Sequence, residues 1–256
     1  MEDIWSDDPL RRLEAVRKLS EAKRREILEG ITCTAPKGHW PFGMPTSINP
    51  MILFLGPSPG GSPAKGDIRD ETTTDYPSPT FGVINPGLQY TDSNGFWEKI
   101  RTIAVRVMAG LYGVHDREDA LALAGLLNLS DKPSGSAAKV EIDETTKGWV
   151  FETITKTLRP HLVIAIGLKG RKFVVLRGLS YIEGDLKTRE WTTLKDDGSA
   201  LKTYQVLLGL RSDPAPQYLV FPHQHLSKGI FKREGATERF AEQLSTCLQK
   251  ERIRPL

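Results

Sequence analysis

The fold of this chain is decided by the stretch Met51-Ile-Leu-Phe-Leu-Gly-Pro-Ser-Pro-Gly-Gly61. Its apolar half has the length of a fully buried strand, and the Gly/Pro cluster that follows can continue neither a strand nor a helix. Parallel α/β folds bind their ligands at the carboxyl ends of their strands. The stretch therefore predicts a parallel α/β fold with a rigid binding loop directly after this strand.

A second strand-and-loop pattern lies far downstream, in Tyr218-Leu-Val-Phe-Pro-His-Gln-His-Leu-Ser-Lys-Gly229. An apolar strand again ends in proline and a polar loop, and this loop holds two of the five histidines. Two strand-end loops that carry complementary chemistry indicate one shared active site.

Between and around these segments, helical and strand patterns alternate along the chain. Helices are predicted over residues 9–30, 95–111, 143–158, 168–177 and 237–250, the first and last of them amphipathic. Further buried strands are predicted over 121–128, 160–167 and 218–221, with a β-hairpin at about 189–208. This alternation is typical of a parallel sheet with helices on both faces. We expect an N-terminal helix and connector over 1–45 and one α/β domain over 46–256, with a central four-stranded parallel sheet and the hairpin as an insertion.

Composition limits the classes of protein. The 256 residues carry a net charge of +3, which permits nucleic-acid binding without demanding it. Cys33 and Cys247 are the only cysteines, so one chain has no disulfide framework, four-cysteine zinc site or four-cysteine iron–sulfur cluster. The start of the chain is acidic and no apolar run reaches membrane-spanning length. We expect a cytoplasmic protein that needs no metal or cofactor.

A serine hydrolase is one interpretation of the first loop, because Gly56-Pro57-Ser58-Pro59-Gly60 matches the G-x-S-x-G nucleophile elbow. Two physical points oppose it. The residue after the nucleophile should donate its backbone N–H to the oxyanion hole, and Pro59 has none. Proline also holds the residue before it in extended conformations, away from the strained turn of an elbow. The hydrolase therefore stays a remote alternative.

Four short segments follow one another along the chain, each of them at the predicted end of a strand or start of a helix. They are Gly56-Pro-Ser-Pro-Gly60, Asp92-Ser-Asn-Gly-Phe-Trp97, Leu126-Leu-Asn128 and Pro222-His-Gln-His-Leu-Ser227. In order and spacing they resemble the motifs of the uracil-DNA glycosylase superfamily, from the first strand to residue 256. The resemblance implies a three-layer α/β/α fold and a monomer that binds duplex or single-stranded DNA. It also implies an enzyme that flips a nucleotide out and cleaves the bond between its base and its sugar.

The resemblance also assigns roles to individual residues. Either His223 or His225 is expected to hydrogen-bond the carbonyl of the departing base, the alternative being a loop histidine bonded to backbone. Asn128 is expected to read the edge of a pyrimidine with its donor and acceptor, the alternative being a turn-forming side chain. Gly56 and Pro57 are expected to line the base pocket. Tyr76 or Phe81 would stack on the base, or would simply pack within the long segment over 61–94.

Leu226 is expected at the surface, as a wedge that fills the space left by the flipped base. A solitary surface leucine is the alternative interpretation. Other residues of the loops are expected to hold the DNA backbone through hydroxyl, amide and ammonium donors. They are Gly60, Gly61, Ser62, Ser134, Ser227 and Lys228.

The chain departs from the superfamily at Ser58, where the strongest enzymes have Asp or Asn. Serine can hold a water molecule but is neither a charge nor a base at neutral pH. Asp92 is the best substitute acid, with Asp75 as a further candidate and a helix N-cap as the alternative role for Asp92. The expected substrate is a uracil-like base or, because of this departure, a modified pyrimidine, in DNA repair or in defence against phage DNA. The alternative that the departure favours is a DNA-binding module that has lost catalysis.

Overall fold

The computed structural model describes residues 4–20, 22–23, 26–27, 49–56, 95–128, 145, 148–149, 152–166, 187–194, 200–208, 218–222, 226 and 229–252. Helix α1 spans Pro9–Lys18, with proline in its first turn and the Asp8 carboxylate accepting hydrogen bonds from the N–H groups of Leu10 and Arg11. No helix in the described ranges is long and apolar enough to cross a membrane.

The prediction of one continuous helix over 9–30 is wrong. The backbone of Leu19 is extended (φ −68°, ψ 132°), which ends α1. Ser20 then accepts a hydrogen bond from the N–H of Lys23 at 3.2 Å, and residues 22–23 and 26–27 are helical again. A serine side chain that bonds the backbone N–H three residues later is the geometry of a helix start. The amphipathic pattern therefore covers two helical segments.

The described strands form one sheet of six, in the order β2-β1-β3-β6-β5-β4. Strands β1 (Ile52–Gly56), β2 (Ala124–Asn128), β3 (Leu162–Ala165) and β6 (Tyr218–Pro222) run parallel to one another. Strands β4 (Lys187–Leu194) and β5 (Ala200–Leu208) form an antiparallel hairpin that joins the sheet through β6. The α/β class is thereby confirmed, and the predicted hairpin continues the sheet.

Helices α2 (Phe96–Tyr112) and α4 (Ala236–Arg252) are the long helices, and they pack against each other. The stripe predicted for α2 is buried at Ile100, Ile103 and Val107, and these residues belong to the same core as Ile52 and Phe54 of β1. Apolar side chains at a spacing of three and four residues share one face of a helix, which explains why this prediction was correct.

The strand predicted over 121–128 is too long at its start. Helix α3 covers Arg117–Ala122 and β2 begins only at Ala124. Asp116 caps α3 by accepting a hydrogen bond from the N–H of Asp119 at 2.9 Å. From a short apolar run alone, the end of a helix cannot be told from the start of a strand. Here the N-cap at Asp116 starts a helix, so the first part of the run is helical. The helix predicted over 143–158 includes a π-helical turn at Thr153–Leu158.

Candidate functional site

The carboxyl ends of the central strands lie at one edge of the sheet. Gly56, the last residue of β1, is directly opposite Asn128, the last residue of β2. On the other side of β1, the N–H of Ile166 donates to the carbonyl of Leu55 at 2.8 Å, just after β3 ends. The chain therefore leaves three neighbouring strands at the same level.

The strand order identifies a switch point at this edge. From β1 the chain passes to β2 on one side, and β3 is then added on the other side of β1. Open α/β sheets bind ligands in the crevice outside the carboxyl ends of the strands at such a point. The best-placed crevice of this sheet is thus the one between the ends of β1 and β3.

The predicted site residues are attached to this edge by chain connectivity. Ser58 is two residues beyond the end of β1, and His223 is one residue beyond the end of β6. Because β3 lies between β1 and β6, these two strand ends are about 10 Å apart, or two strand spacings.

Gly56, Asn128 and Leu226 are the predicted site residues that belong to the described part of the chain. Gly56 is buried at the end of β1, and Asn128 is placed by its strand register. The remaining predicted site residues lie outside the described residues: Pro57, Ser58, Gly60, Gly61, Ser62, Tyr76, Phe81, Asp92, Ser134, His223, His225, Ser227 and Lys228. Their assigned roles stay predictions.

Leu226 is not where the wedge interpretation needs it. Its side chain is 0% exposed and belongs to the hydrophobic core with Phe231 and Phe240. The rings of those two phenylalanines meet edge to face, with centroids 5.4 Å apart. The expected exposure of Leu226 is therefore wrong, because burial in an apolar core stabilises a leucine more than contact with water. Leu226 is therefore a residue of the core.

The start of α2 is described from Gly95 onward, and Asp92 lies outside the described residues. The N-cap position of α2 is Gly95, whose backbone is left-handed (φ 59°). Glycine adopts this conformation without the steric cost that a Cβ imposes. Asp92 lies three residues before this position in the sequence, and both roles considered for it stay predictions.

A cluster at the opposite, amino edge was not singled out from the sequence. Arg12 is 1% exposed, and its guanidinium donates to the carbonyls of Trp5, Ser6, Asn49, Pro50 and Arg159. It thereby ties α1 to the segments that lead into β1 and β3. In the sequence Arg12 sits among other charges on a helix, so nothing distinguished it from the exposed cations around it.

His161 lies in the same region, just before β3, and was also missed. Its Nε2 lies 2.6 Å from an Asp7 carboxylate oxygen, and its ring meets that of Tyr112 at a centroid distance of 6.0 Å. A histidine–carboxylate pair is a general-base arrangement in many enzymes. Here the imidazole is 2% exposed and lies at the edge opposite the switch point, so its contacts indicate a role in stability.

The described residues contain no group of three His, Cys, Asp or Glu side chains arranged to hold a metal ion. Comparisons of the chain with protein-family models, with curated proteins and with solved structures find no match. The functional assignment therefore depends on the sheet geometry and the sequence motifs.

Proposed function

We propose that this chain is a monofunctional DNA glycosylase with the three-layer fold of the uracil-DNA glycosylase superfamily. In this proposal it works as a monomer in the cytoplasm and removes a uracil-like or modified pyrimidine from DNA. The observation that carries the proposal is the shared carboxyl edge of β1, β2, β3 and β6. Three of the four motifs of the resemblance include a strand end on this edge, at Gly56, Asn128 and Pro222, and the fourth leads into α2.

In the proposed reaction the bond between the sugar C1′ and the base nitrogen breaks, and its electron pair leaves with the base. Positive charge grows on the sugar while negative charge grows on the base carbonyl. A hydrogen bond from His223 or His225 to that oxygen stabilises the departing base, and Asn128 holds the pyrimidine edge. The oxygen of a water molecule then bonds to C1′ and gives up a proton, which leaves an abasic site.

Activation of the water is the step that the sequence makes unusual. In this proposal Ser58, two residues after the end of β1, holds a water by a hydrogen bond, but a hydroxyl does not accept its proton at neutral pH. Asp92 precedes α2 and supplies the carboxylate in the proposed mechanism. Uracil in ordinary DNA is then expected to react more slowly than a base with a better leaving group.

The test is incubation with single-stranded and duplex DNA that contains uracil, and with phage DNA that carries modified cytosines. Alkali converts each abasic site into a strand break, so the panel reports both activity and base preference. The double variant His223→Ala/His225→Ala is expected to abolish the breaks. His115→Ala is the matched control, because His115 is an exposed histidine before α3. Breaks that persist in the double variant would contradict the assignment.

A DNA-binding module without catalysis is the second candidate, and the Ser58 substitution is the observation that favours it. This candidate predicts that DNA binding survives both His223→Ala and Asp92→Ala and that no substrate yields breaks. Reaction of Ser58 with a fluorophosphonate probe would instead support the serine hydrolase.

A further inference from the structure

The N-terminal residues 4–8, called the strap below, are fastened to the amino edge of the sheet. The guanidinium of Arg12 in α1 donates to the strap carbonyls of Trp5 and Ser6, at 3.2 and 2.8 Å. The side-chain amide of Asn49, just before β1, donates to the first carbonyl of the strap. Two side chains from different segments therefore hold this stretch of backbone in place.

The same contacts reach the two central strands of the parallel sheet. Arg12 also donates to the carbonyl of Pro50 at 3.0 Å, ahead of β1, and to the carbonyl of Arg159, ahead of β3. The Arg159 guanidinium lies 5.8 Å from the centre of the Trp5 ring, so the strap also contacts the segment before β3. Release of the strap would therefore remove contacts from the entries of both strands that border the candidate crevice.

An ionisable pair joins the strap to the start of β3. The Nε2 of His161 lies 2.6 Å from a carboxylate oxygen of Asp7. An ionised carboxylate only accepts hydrogen bonds, so Nε2 carries the proton in this contact. Nδ1 is then the nitrogen that takes up a further proton when the imidazole becomes a cation.

The surroundings of His161 favour its neutral form. Its side chain is only 3% exposed, whereas that of Asp7 is 81% exposed. Burial penalises a charged imidazole, and water screens the attraction of an exposed carboxylate. In the described part of the chain, the other charged or titratable groups of this region are the guanidinium groups of Arg12 and Arg159 and the phenol of Tyr112, whose ring centroid is 6.0 Å away. Two positive charges oppose a third.

We propose that the His161–Asp7 contact is an acid-sensitive latch. It holds the strap closed while the imidazole is neutral, and it releases the strap when a proton from solvent binds Nδ1. Histidine is the side chain whose ordinary titration falls between about pH 5 and 8, which makes it suited to this role. The inference does not depend on the proposed function, because it needs neither DNA nor catalysis.

The first test is the pH dependence of folding. The closed form binds fewer protons at this site than the open form, so stability is expected to fall as the pH falls. A released ring that titrates like an ordinary histidine, near about pH 6.5, lowers the folding equilibrium constant by about 5- to 30-fold between about pH 8 and pH 5. Urea denaturation of the full chain measures this loss. His161→Gln keeps an N–H donor for Asp7 but does not titrate, so its loss is expected to be smaller by that factor.

Asp7→Asn distinguishes the latch from an ion pair that acid would strengthen, and it serves if His161→Gln fails to fold. The latch predicts that the acid-induced loss persists in Asp7→Asn, because the buried imidazole still has to take up a proton. His115→Gln is the control, since His115 is exposed, and its pH profile is expected to match that of the unaltered protein. Equal losses in the unaltered protein and His161→Gln, or a gain on acidification that Asp7→Asn abolishes, would overturn the latch.

Cleavage by chymotrypsin after Trp5 tests the release of the strap itself, because proteolysis follows the population of the open form. Dividing each rate by that of a free peptide of residues 1–12 at the same pH removes the pH dependence of the protease. The ratio is expected to rise about fourfold from about pH 8 to pH 6 in the unaltered protein and to stay constant in His161→Gln. A constant ratio in both proteins would overturn the release of the strap.

Discussion

Gly110 of α2 and Ser245 of α4 approach so closely that a Cβ on Gly110 would lie 2.7 Å from the Cβ of Ser245. The Ser245 hydroxyl lies equally near and donates to the Ala241 carbonyl at 2.8 Å, so it is held in place. Glycine is therefore the residue that lets the two long helices pack at this distance.

Gly110→Ala is expected to lower the free energy of unfolding by about 1–3 kcal/mol, because one helix must shift to admit the methyl group. Urea denaturation measures the change. Gly148→Ala is the control, since a Cβ at Gly148 meets nothing within 4 Å. The double variant Gly110→Ala/Ser245→Gly is expected to recover part of the loss, and strictly additive losses would contradict the steric explanation.

Arg12→Met is expected to cost about 3 kcal/mol or more, because it leaves buried carbonyls without the charged donor that satisfies them. Arg12→Lys is also expected to destabilise, since an ammonium cannot reproduce the planar fork of a guanidinium. Thermal melting reports both changes. Arg11→Met, at a neighbouring side chain that is 80% exposed, is expected to change stability by no more than about 0.5 kcal/mol.

Leu226→Ala tests whether this residue belongs to the core or to the DNA interface. The buried position predicts a loss of about 2–5 kcal/mol in the free energy of unfolding. Leu10→Ala is the control, because Leu10 is 59% exposed. Unchanged stability in Leu226→Ala together with weaker DNA binding would restore the wedge interpretation.

Asn128→Asp keeps the shape of the side chain but removes its N–H donor. If Asn128 reads a pyrimidine carbonyl, kcat/KM for the preferred base is expected to fall at least about tenfold, which corresponds to one lost hydrogen bond of about 1.4 kcal/mol. Strand-break kinetics give the value. An equal rate in Asn128→Asp would leave Asn128 as a turn residue at the end of β2.

The parallel strands and α2 could be predicted because their signals are local. An apolar run bounded by glycine and proline specifies a buried strand, and the stripe through Ile100, Ile103 and Val107 specifies one helix face. The edge at which the strands end then follows from their common direction. Thus the shared edge at which the parallel strands end was predictable, whereas the roles of the predicted site residues stay predictions.

The errors arose where distant contacts decide the outcome. The sequence pattern predicts that Arg12 is one of several exposed charges on a solvated helix. In the fold, its guanidinium donates to the carbonyls of Asn49, Pro50 and Arg159, which are far away along the chain. Leu226 stands between polar residues in the sequence, so its burial depends on Phe231 and the helix that follows. A charge pattern or a single apolar residue carries no information about partners so far away along the chain.

The position of β1 in the middle of the sheet has a consequence for how the chain is made. Its two neighbours begin at Ala124 and Leu162, and α4, which packs on α2, ends only at Arg252. Contacts between such distant segments form slowly, because long stretches of chain must be closed first. During synthesis β1 is therefore made before β2 and β3, with which it pairs. Until those strands emerge from the ribosome, its apolar residues are unpaired and prone to aggregate.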